Sequence, residues 1–348
     1  MRIKVLSKKI GLNYSPFIIA EISANHNQSI STALKIIKGA AEAGVDAIKL
    51  QTYTADTMTL NLNNKKGLIK DTNSPWYGKN LYKLYQRGST PWIWHKKLFS
   101  FAKKLGLIAF STPFDISSVD FLKKLNVPIY KISSFEITDI PLIKKVALTR
   151  KPVIVSTGMA NMLEIKDAVK TLKQNGCKKI ILLKCTSSYP CDAKDVNLAT
   201  IPVLRNKFKC EVGLSDHTVG EAAAIASIGL GSTVIEKHVT LNKNKSIDGS
   251  FSLDLKELKN FVKNLRSAKK SIGQIKFEPT ENEKKNLKYR RGVVAIRDIK
   301  KNEKFTKNNI KCLRGMLGLE PKYYYRILNK NSKKFIRFGQ PIKFNLIK

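Results

Sequence analysis

Apolar residues gather into eight short runs along this chain, and each run ends in polar side chains that a packed core would not select. The runs are Phe17–Ile22, Ala47–Thr52, Ile108–Phe114, Pro128–Ser134, Pro152–Gly158, Lys179–Thr186, Glu211–His217 and Ser232–Thr240. Between them lie stretches of helical period, such as Ser31–Ala43 and Leu163–Gln174. Eight strand-then-helix units predict a (β/α)8 TIM barrel, an α/β fold whose active site lies at the C-terminal ends of its strands. Those ends carry Glu21, Asn25, His26, Lys49, Gln51, Thr112, Lys131, Ser134, Glu136, Ser156, Ser215, Asp216, His217, Glu236 and His238. So much polar chemistry at one rim predicts an enzyme.

The pattern divides the chain into a barrel domain over 1–275, a linker over 276–288 and a small β-rich domain over 289–348. The last barrel helix is predicted over Asp254–Ile272, opened by Asp254 as N-cap and closed by Gly273. The linker is charged and contains Pro279, and short strands and turns follow it. A domain of about sixty residues buries little surface alone, so it is expected to lean on a partner surface. Residues 53–90 form a long insertion after the second strand, and barrel loops of that length serve as lids or binding walls.

Composition narrows the class. With 348 residues and 43% hydrophobic content the chain can build real cores. No run approaches the ~20 residues of a membrane span. The basic N-terminus lacks the apolar stretch of a secretion signal. The five cysteines are odd in number and form no CxxC pair, which fits free thiols in a reducing cytoplasm. A net charge of +38 raises nucleic acid as a partner, but the lysines are scattered and lack an aromatic-interleaved stripe. The expectation is therefore no nucleic acid and no membrane, with the positive field speeding capture of an anionic substrate.

Period-two alternation puts Lys49 with Gln51, and Glu236 with His238, on shared strand faces. If those faces point inward, each buried charge needs a partner or a ligand. Two lysines and two histidines around one mouth suit an anion plus a divalent metal. His217 and His238 end consecutive strands and can reach one ion. Glu21 and Glu136 end opposite strands, where either can act as a base or pair with a lysine. Thr112, Ser134, Ser156 and Ser215 add hydroxyl donors, and Asp216 is placed to orient the His217 ring. Cys185 reads as packing rather than as a nucleophile, and Trp76, Trp92 and Trp94 as core or lid packing.

The ordered segments IAEISANHN, AIKLQTYT, FSTPF, YKISSFE, VSTGMA, KCTSSYP, VGLSDHT and VIEKHVT resemble the serial motifs of the sialic acid synthase family. The tail AIRDIKKNEKFTKNNIK followed by LRGMLGLEPKYY resembles the antifreeze-like (SAF) domain that ends the same family. The resemblance covers essentially the whole chain. It implies condensation of phosphoenolpyruvate with an amino-sugar aldehyde to make a nonulosonic acid. Within the family the chain looks closest to the pseudaminic acid branch. QTYTADTMTL, Phe135 in SSFE, Lys184, LYKLYQRGSTPWIWH and FSLD carry that likeness. It implies 2,4-diacetamido-2,4,6-trideoxy-L-altrose as acceptor and flagellin or surface-glycan decoration as the destination of the product.

The resemblance also implies roles. His217 and His238 bind a divalent metal, Mn2+ or Mg2+. Lys49, Thr112, Lys131, Ser134, Ser156 and Ser215 cradle phosphoenolpyruvate. Glu136 handles the water that adds to C2, and Glu21 contacts the acceptor and orders the metal shell. Asn25, Gln51, Ser187, Tyr189 and Asp248 lie on the substrate side, although the family often has Asn where this chain has Ser187. Arg314 matches an arginine that reaches the active site of the other protomer, which implies a homodimer with swapped SAF domains. N-acetylneuraminate or legionaminic acid synthesis would use the same machinery. Two remoter readings are a Schiff-base aldolase using Lys49 or Lys131, and a non-enzymatic binding protein.

Overall fold

The computed structural model describes residues 3–62, 64–315 and 318–348. It separates into two compact units, Met1–Gly273 and Gln274–Lys348.

The first unit is a closed barrel of eight parallel strands. An antiparallel hairpin, β1 (Ile3–Val5) and β2 (Lys8–Ile10), precedes it. The barrel strands are β3 (Phe17–Glu21), β4 (Ala47–Thr52), β5 (Ile108–Pro113), β6 (Tyr130–Ile132), β7 (Val153–Ser156), β8 (Ile180–Cys185), β9 (Glu211–Asp216) and β10 (Val234–His238). They pair in chain order, and β10 closes the ring on β3 with His238 opposite Glu21. Strand β6 is the shortest departure from expectation. Its apolar run begins at Pro128, but pairing starts only at Tyr130, and the chain leaves the sheet at Ser133 and Ser134.

The inward face changes character along the barrel axis. Toward the N-terminal ends it is apolar: Phe17, Ile19, Ala47, Ile108, Phe110, Ile129, Ile154, Ile181 and Val234 form one buried cluster. Ile3, Val5 and Ile10 belong to the same cluster, so the hairpin seals that end. Lys8 ties it down by donating to Asp46 at 2.7 Å, while Asp46 also accepts the Ile18 amide at 3.0 Å. The short, lysine-rich hairpin strands do not alternate long enough to stand out in the sequence. Further along the strands the same inward face turns polar, at Glu21, Lys49, Thr112, Lys131, Ser156, Ser215 and Glu236, while β8 stays apolar through Leu183 and ends at Cys185.

Helices cover the outside. The helix Ile30–Ala43 is capped by Ser29, and Met162–Gln174 by an Asn161–Glu164 capping box. The last helix, Leu255–Ile272, has Asp254 as N-cap and Gly273 as C-cap. The five cysteines are free, four of them buried.

The second unit contains the antiparallel pair β11 (Arg291–Ala295) and β12 (Ile310–Arg314). Its own core includes Val293, Ile299, Phe305, Ile310, Ile336 and Ile342. Residues 276–288 are exposed apart from the half-buried Pro279, and hold one helical turn, Glu281–Lys284, capped by Thr280.

Candidate active site

Four charges face one another across the polar end of the barrel. Lys131 Nζ donates to Glu236 Oε1 at 3.1 Å, and Lys49 Nζ lies 3.8 Å from Glu236 Oε2. Lys49 also pairs with Glu21 and donates to Thr112 Oγ1 at 3.0 Å. Ser215 donates to Glu236 Oε1 at 2.9 Å. All of these residues are buried. Burial disfavours ionisation of Glu236, but Lys131 and Lys49 outweigh it and hold its carboxyl well below the usual range. Glu21 goes the other way: burial raises it, and the pull of Lys49 does not compensate. Burial also lowers the Lys131 ammonium. The sequence shows Glu236 only as a charge needing a partner, yet here it holds both lysines.

Two imidazoles overlook this floor, with ring centroids 5.3 Å apart. His217 Nδ1 donates to the Thr186 carbonyl at 3.0 Å, which leaves Nε2 to carry the ring's lone pair. Asp216 does not orient His217, as alternation along β9 explains. It points outward, where Lys237 donates to it at 2.8 Å. His238 Nδ1 is buried without a hydrogen-bond partner among the described residues, 3.8 Å from Asp248 Oδ2. Burial, followed by His217 and Lys49, keeps His238 far below its ordinary pKa and therefore neutral. Burial pushes the His217 ring down, but the Cys185 thiol beside it raises its pKa. Of the two imidazoles lining the cavity, His238 is therefore the one held neutral, and His217 would have to give up its proton to share a divalent cation. No group of three or more His, Cys, Asp or Glu side chains suited to a metal occurs among the described residues, so His217 and His238 are the two imidazoles that would hold such an ion.

Above the floor opens a cavity of about 430 Å³. Gln51, Ser134, Glu136, Ser156, Tyr189 and Asp248 line it, with Lys49, Lys131, Ser215, His217 and His238. Ser134 Oγ accepts the Gly158 amide at 3.1 Å, and Ser156 Oγ is buried without a partner among the described residues. An anion would meet both hydroxyls. Glu136 accepts from Ser133, and burial raises its pKa.

Five candidates do not line the cavity, among them Thr112, which stands behind Lys49 as its hydrogen-bond acceptor. Asn25 is fully buried and does not line the cavity. Its amide donates to Val239 O at 2.8 Å and Ser252 Oγ at 2.9 Å, and accepts the Asp248 amide at 3.1 Å, so it fixes the Asp248 loop. Glu21 sits behind Lys49, accepting the Ser23 amide at 3.0 Å. Ser187 is placed at the rim, 4.0 Å from Cys185 Sγ. Arg314 belongs to the second unit, exposed opposite Arg291 in the β11–β12 ladder.

Three features escape a reading by residue type. Cys185 lines the cavity, with Sγ 3.9 Å from His217 Nδ1. Burial would raise this thiol, but His217 outweighs it and brings it to about 7. Inward parity with Ser215 was the signal available. Trp76, expected as core or lid packing, takes the second place: it lines the cavity from the insertion and donates to the Ile247 carbonyl at 3.1 Å. Phe251 packs against Tyr189, His217 and His238.

This arrangement can be compared with known proteins. The NeuB family profile matches residues 36–277, and the SAF domain profile residues 290–348. The chain belongs to the NeuB family. It is 43% identical to the pseudaminic acid synthase of Campylobacter jejuni, over 94% of this chain and 95% of that protein. It is 42% identical to the pseudaminic acid synthase of Helicobacter pylori, over 94% and 96%. Among solved structures, the N-acetylneuraminic acid synthetase of Leptospira borgpetersenii, in complex with citrate, matches with a TM-score of 0.73 at 32% identity. That match covers 82% of this chain and 95% of the other. The barrel and SAF tail expected from the sequence are those of this NeuB family member. No helix among the described residues is long and apolar enough to cross a membrane.

Proposed function

We propose that the chain condenses phosphoenolpyruvate with 2,4-diacetamido-2,4,6-trideoxy-L-altrose to give pseudaminic acid and phosphate. The observation that carries this is the pair of buried lysines joined through Glu236 in the same cavity as two imidazoles. Its likeness to pseudaminic acid synthases over nearly full length selects the acceptor.

Lys49 and Lys131 neutralise the phosphate and carboxylate of phosphoenolpyruvate, with Ser134, Ser156 and Ser215 as hydroxyl donors. Anchoring the donor beneath the sugar turns a two-body encounter into an oriented one. A divalent cation held by His217 and His238, manganese or magnesium, would supply Lewis-acid polarisation of the aldehyde. Asp248 and Tyr189 hold the sugar against that side. The enol π pair of phosphoenolpyruvate forms the new bond from C3 to the aldehyde carbon, whose oxygen gains a proton. Water then adds to the cationic C2, and its proton passes to Glu136. The C2–O bond to phosphate breaks with its electron pair on phosphate, and loss of the C2 hydroxyl proton leaves the ketone.

The SAF domain fits a swapped homodimer in which Arg314 reaches the partner's sugar site, and the free thiols favour a cytoplasmic enzyme. The test is phosphate release with Mn2+ across three acceptors: the altrose sugar, N-acetylmannosamine and the diacetamido-trideoxy-mannose. Release with the altrose sugar alone supports the reading. Release with another acceptor alone reassigns the substrate.

A further inference from the structure

The cavity is two-sided, and the mechanism above uses only one side. Strand ends and the loops directly after them supply its charged and hydroxylated lining. The insertion after β4 supplies the opposite wall. That insertion holds eight charged residues, Asp56, Lys65, Lys66, Lys70, Asp71, Lys79, Lys83 and Arg87. None of them lines the cavity; Met58, Ile69, Trp76, Leu81 and Leu84 do. The helix Leu81–Gly88 shows why. Leu81, Leu84, Tyr85 and Gly88 recur at helical spacing on one face, while Lys83 and Arg87 fall on another. In a core helix such a stripe would be fully buried. Here Leu81, Leu84 and Tyr85 are only half-buried, as are Met58 and Ile69, because their apolar face borders open cavity. Trp76 fixes the wall to the acceptor side, since its indole bonds the carbonyl of the residue before Asp248.

We infer that this wall is a specificity surface for the carbons of the acceptor that lack hydroxyls. It reads the C6 methyl of a deoxy sugar and the methyls of its acetamido groups. The inference rests on the proposed condensation and deepens it. Among the described residues, Tyr53 and Tyr85 bring the only hydroxyls that the insertion sets along the cavity. A methyl against Met58, Ile69, Leu81 and Leu84 therefore loses only water, whereas a hydroxyl at that patch gives up hydrogen bonds that those four side chains do not replace. An added hydroxyl in an apolar pocket is rejected by about 10- to 100-fold. The lysine floor is untouched, so discrimination acts on the sugar and leaves phosphoenolpyruvate binding unchanged.

The experiment compares kcat/KM for the altrose acceptor with that for its 6-hydroxy analogue, in the wild type and in Leu84→Asn and Met58→Gln. Leu84→Met serves as the conservative control, and the KM for phosphoenolpyruvate reports an intact floor. The expected result is a wild-type preference for the deoxy sugar of about 10-fold or more. The polar variants should shrink it at least several-fold at constant phosphoenolpyruvate KM, and Leu84→Met should retain it. Equal use of both sugars by the wild type overturns the inference. So does a polar variant that loses rate on both sugars equally while still binding phosphoenolpyruvate. Turnover of mannose-configured acceptors only overturns the altrose reading instead, and the 6-deoxy against 6-hydroxy mannose pair then decides the wall.

Discussion

Lys131 reaches Glu236 at 3.1 Å from one side of the barrel, and Lys49 approaches the second oxygen of that carboxylate at 3.8 Å from the other. One buried anion therefore aims both cations. Removing it should leave excess buried positive charge, a change that typically costs 3–5 kcal/mol, or roughly that here. Glu236→Gln should melt earlier than the wild type. Inorganic phosphate should raise its melting temperature more than it raises that of the wild type, because the anion restores neutrality. Turnover should fall by about 100-fold as the lysines lose their aim. Equal phosphate shifts in the two proteins would count against this account.

Loss of either imidazole should abolish turnover. His238→Ala is expected to keep the fold and phosphoenolpyruvate binding and to lose cation-dependent activity. Chelation by EDTA should silence the wild type, and borohydride should trap no substrate on Lys49 or Lys131. Retained turnover in EDTA with a trapped lysine would establish the aldolase alternative.

Asn25→Ala removes three hydrogen bonds around the Asp248 loop. A cost of about 2–4 kcal/mol follows from leaving their partners buried and unpaired. The catalytic signature is a raised KM for the sugar at constant KM for phosphoenolpyruvate. A rise in both would mean that Asn25 acts on the whole rim.

Acid should destabilise the barrel before it titrates ordinary carboxylates. Burial lowers His26 and His95 to about 4 from the usual 6.5. The Gln28 amide donates to His26 Nδ1 at 3.1 Å, which requires that nitrogen unprotonated. The unfolded chain takes up these protons first, so the stabilisation is complete above pH 6.5 and is lost as pH falls toward 4. Roughly 3 kcal/mol per ring is at stake. Urea midpoints at pH 7 and pH 5 measure the loss, and replacing His95 with Gln should flatten it.

The proposed swapped dimer has its own test. Mixing inactive His217→Ala with impaired Arg314→Ala subunits should restore about a quarter of wild-type activity. Half the dimers are then mixed, each with one complete site. No restoration after subunit exchange would confine each site to one chain.

Much of this was legible in the sequence, for stated reasons. Every barrel strand carries its apolar run, and in all but β8 the inward positions near its end are polar, so β4 and β10 disclose Lys49, Gln51, Glu236 and His238 by parity alone. Parity also corrects Asp216, which is out of phase with Ser215 and His217. What stayed hidden depends on three-dimensional convergence. Nothing local tells that Asn25 spans more than two hundred positions to reach Asp248, or that Glu21 stands behind Lys49. The insertion was recognisable by length, but the cavity side of its helix is set by tertiary placement. The hairpin Ile3–Ile10 is too short to show a period.

That hairpin makes the barrel a cup with a closed base. Reactants and products share one mouth, and the lysines lie deeper than the aromatic residues around His217 and His238. Traffic must then be last in, first out. On the proposed roles, phosphoenolpyruvate should enter ahead of the sugar, the nonulosonic acid should depart first, and phosphate should stay on the floor until the path above it clears. Kinetically the enzyme becomes a queue, with inorganic phosphate competing against phosphoenolpyruvate for the same empty cup.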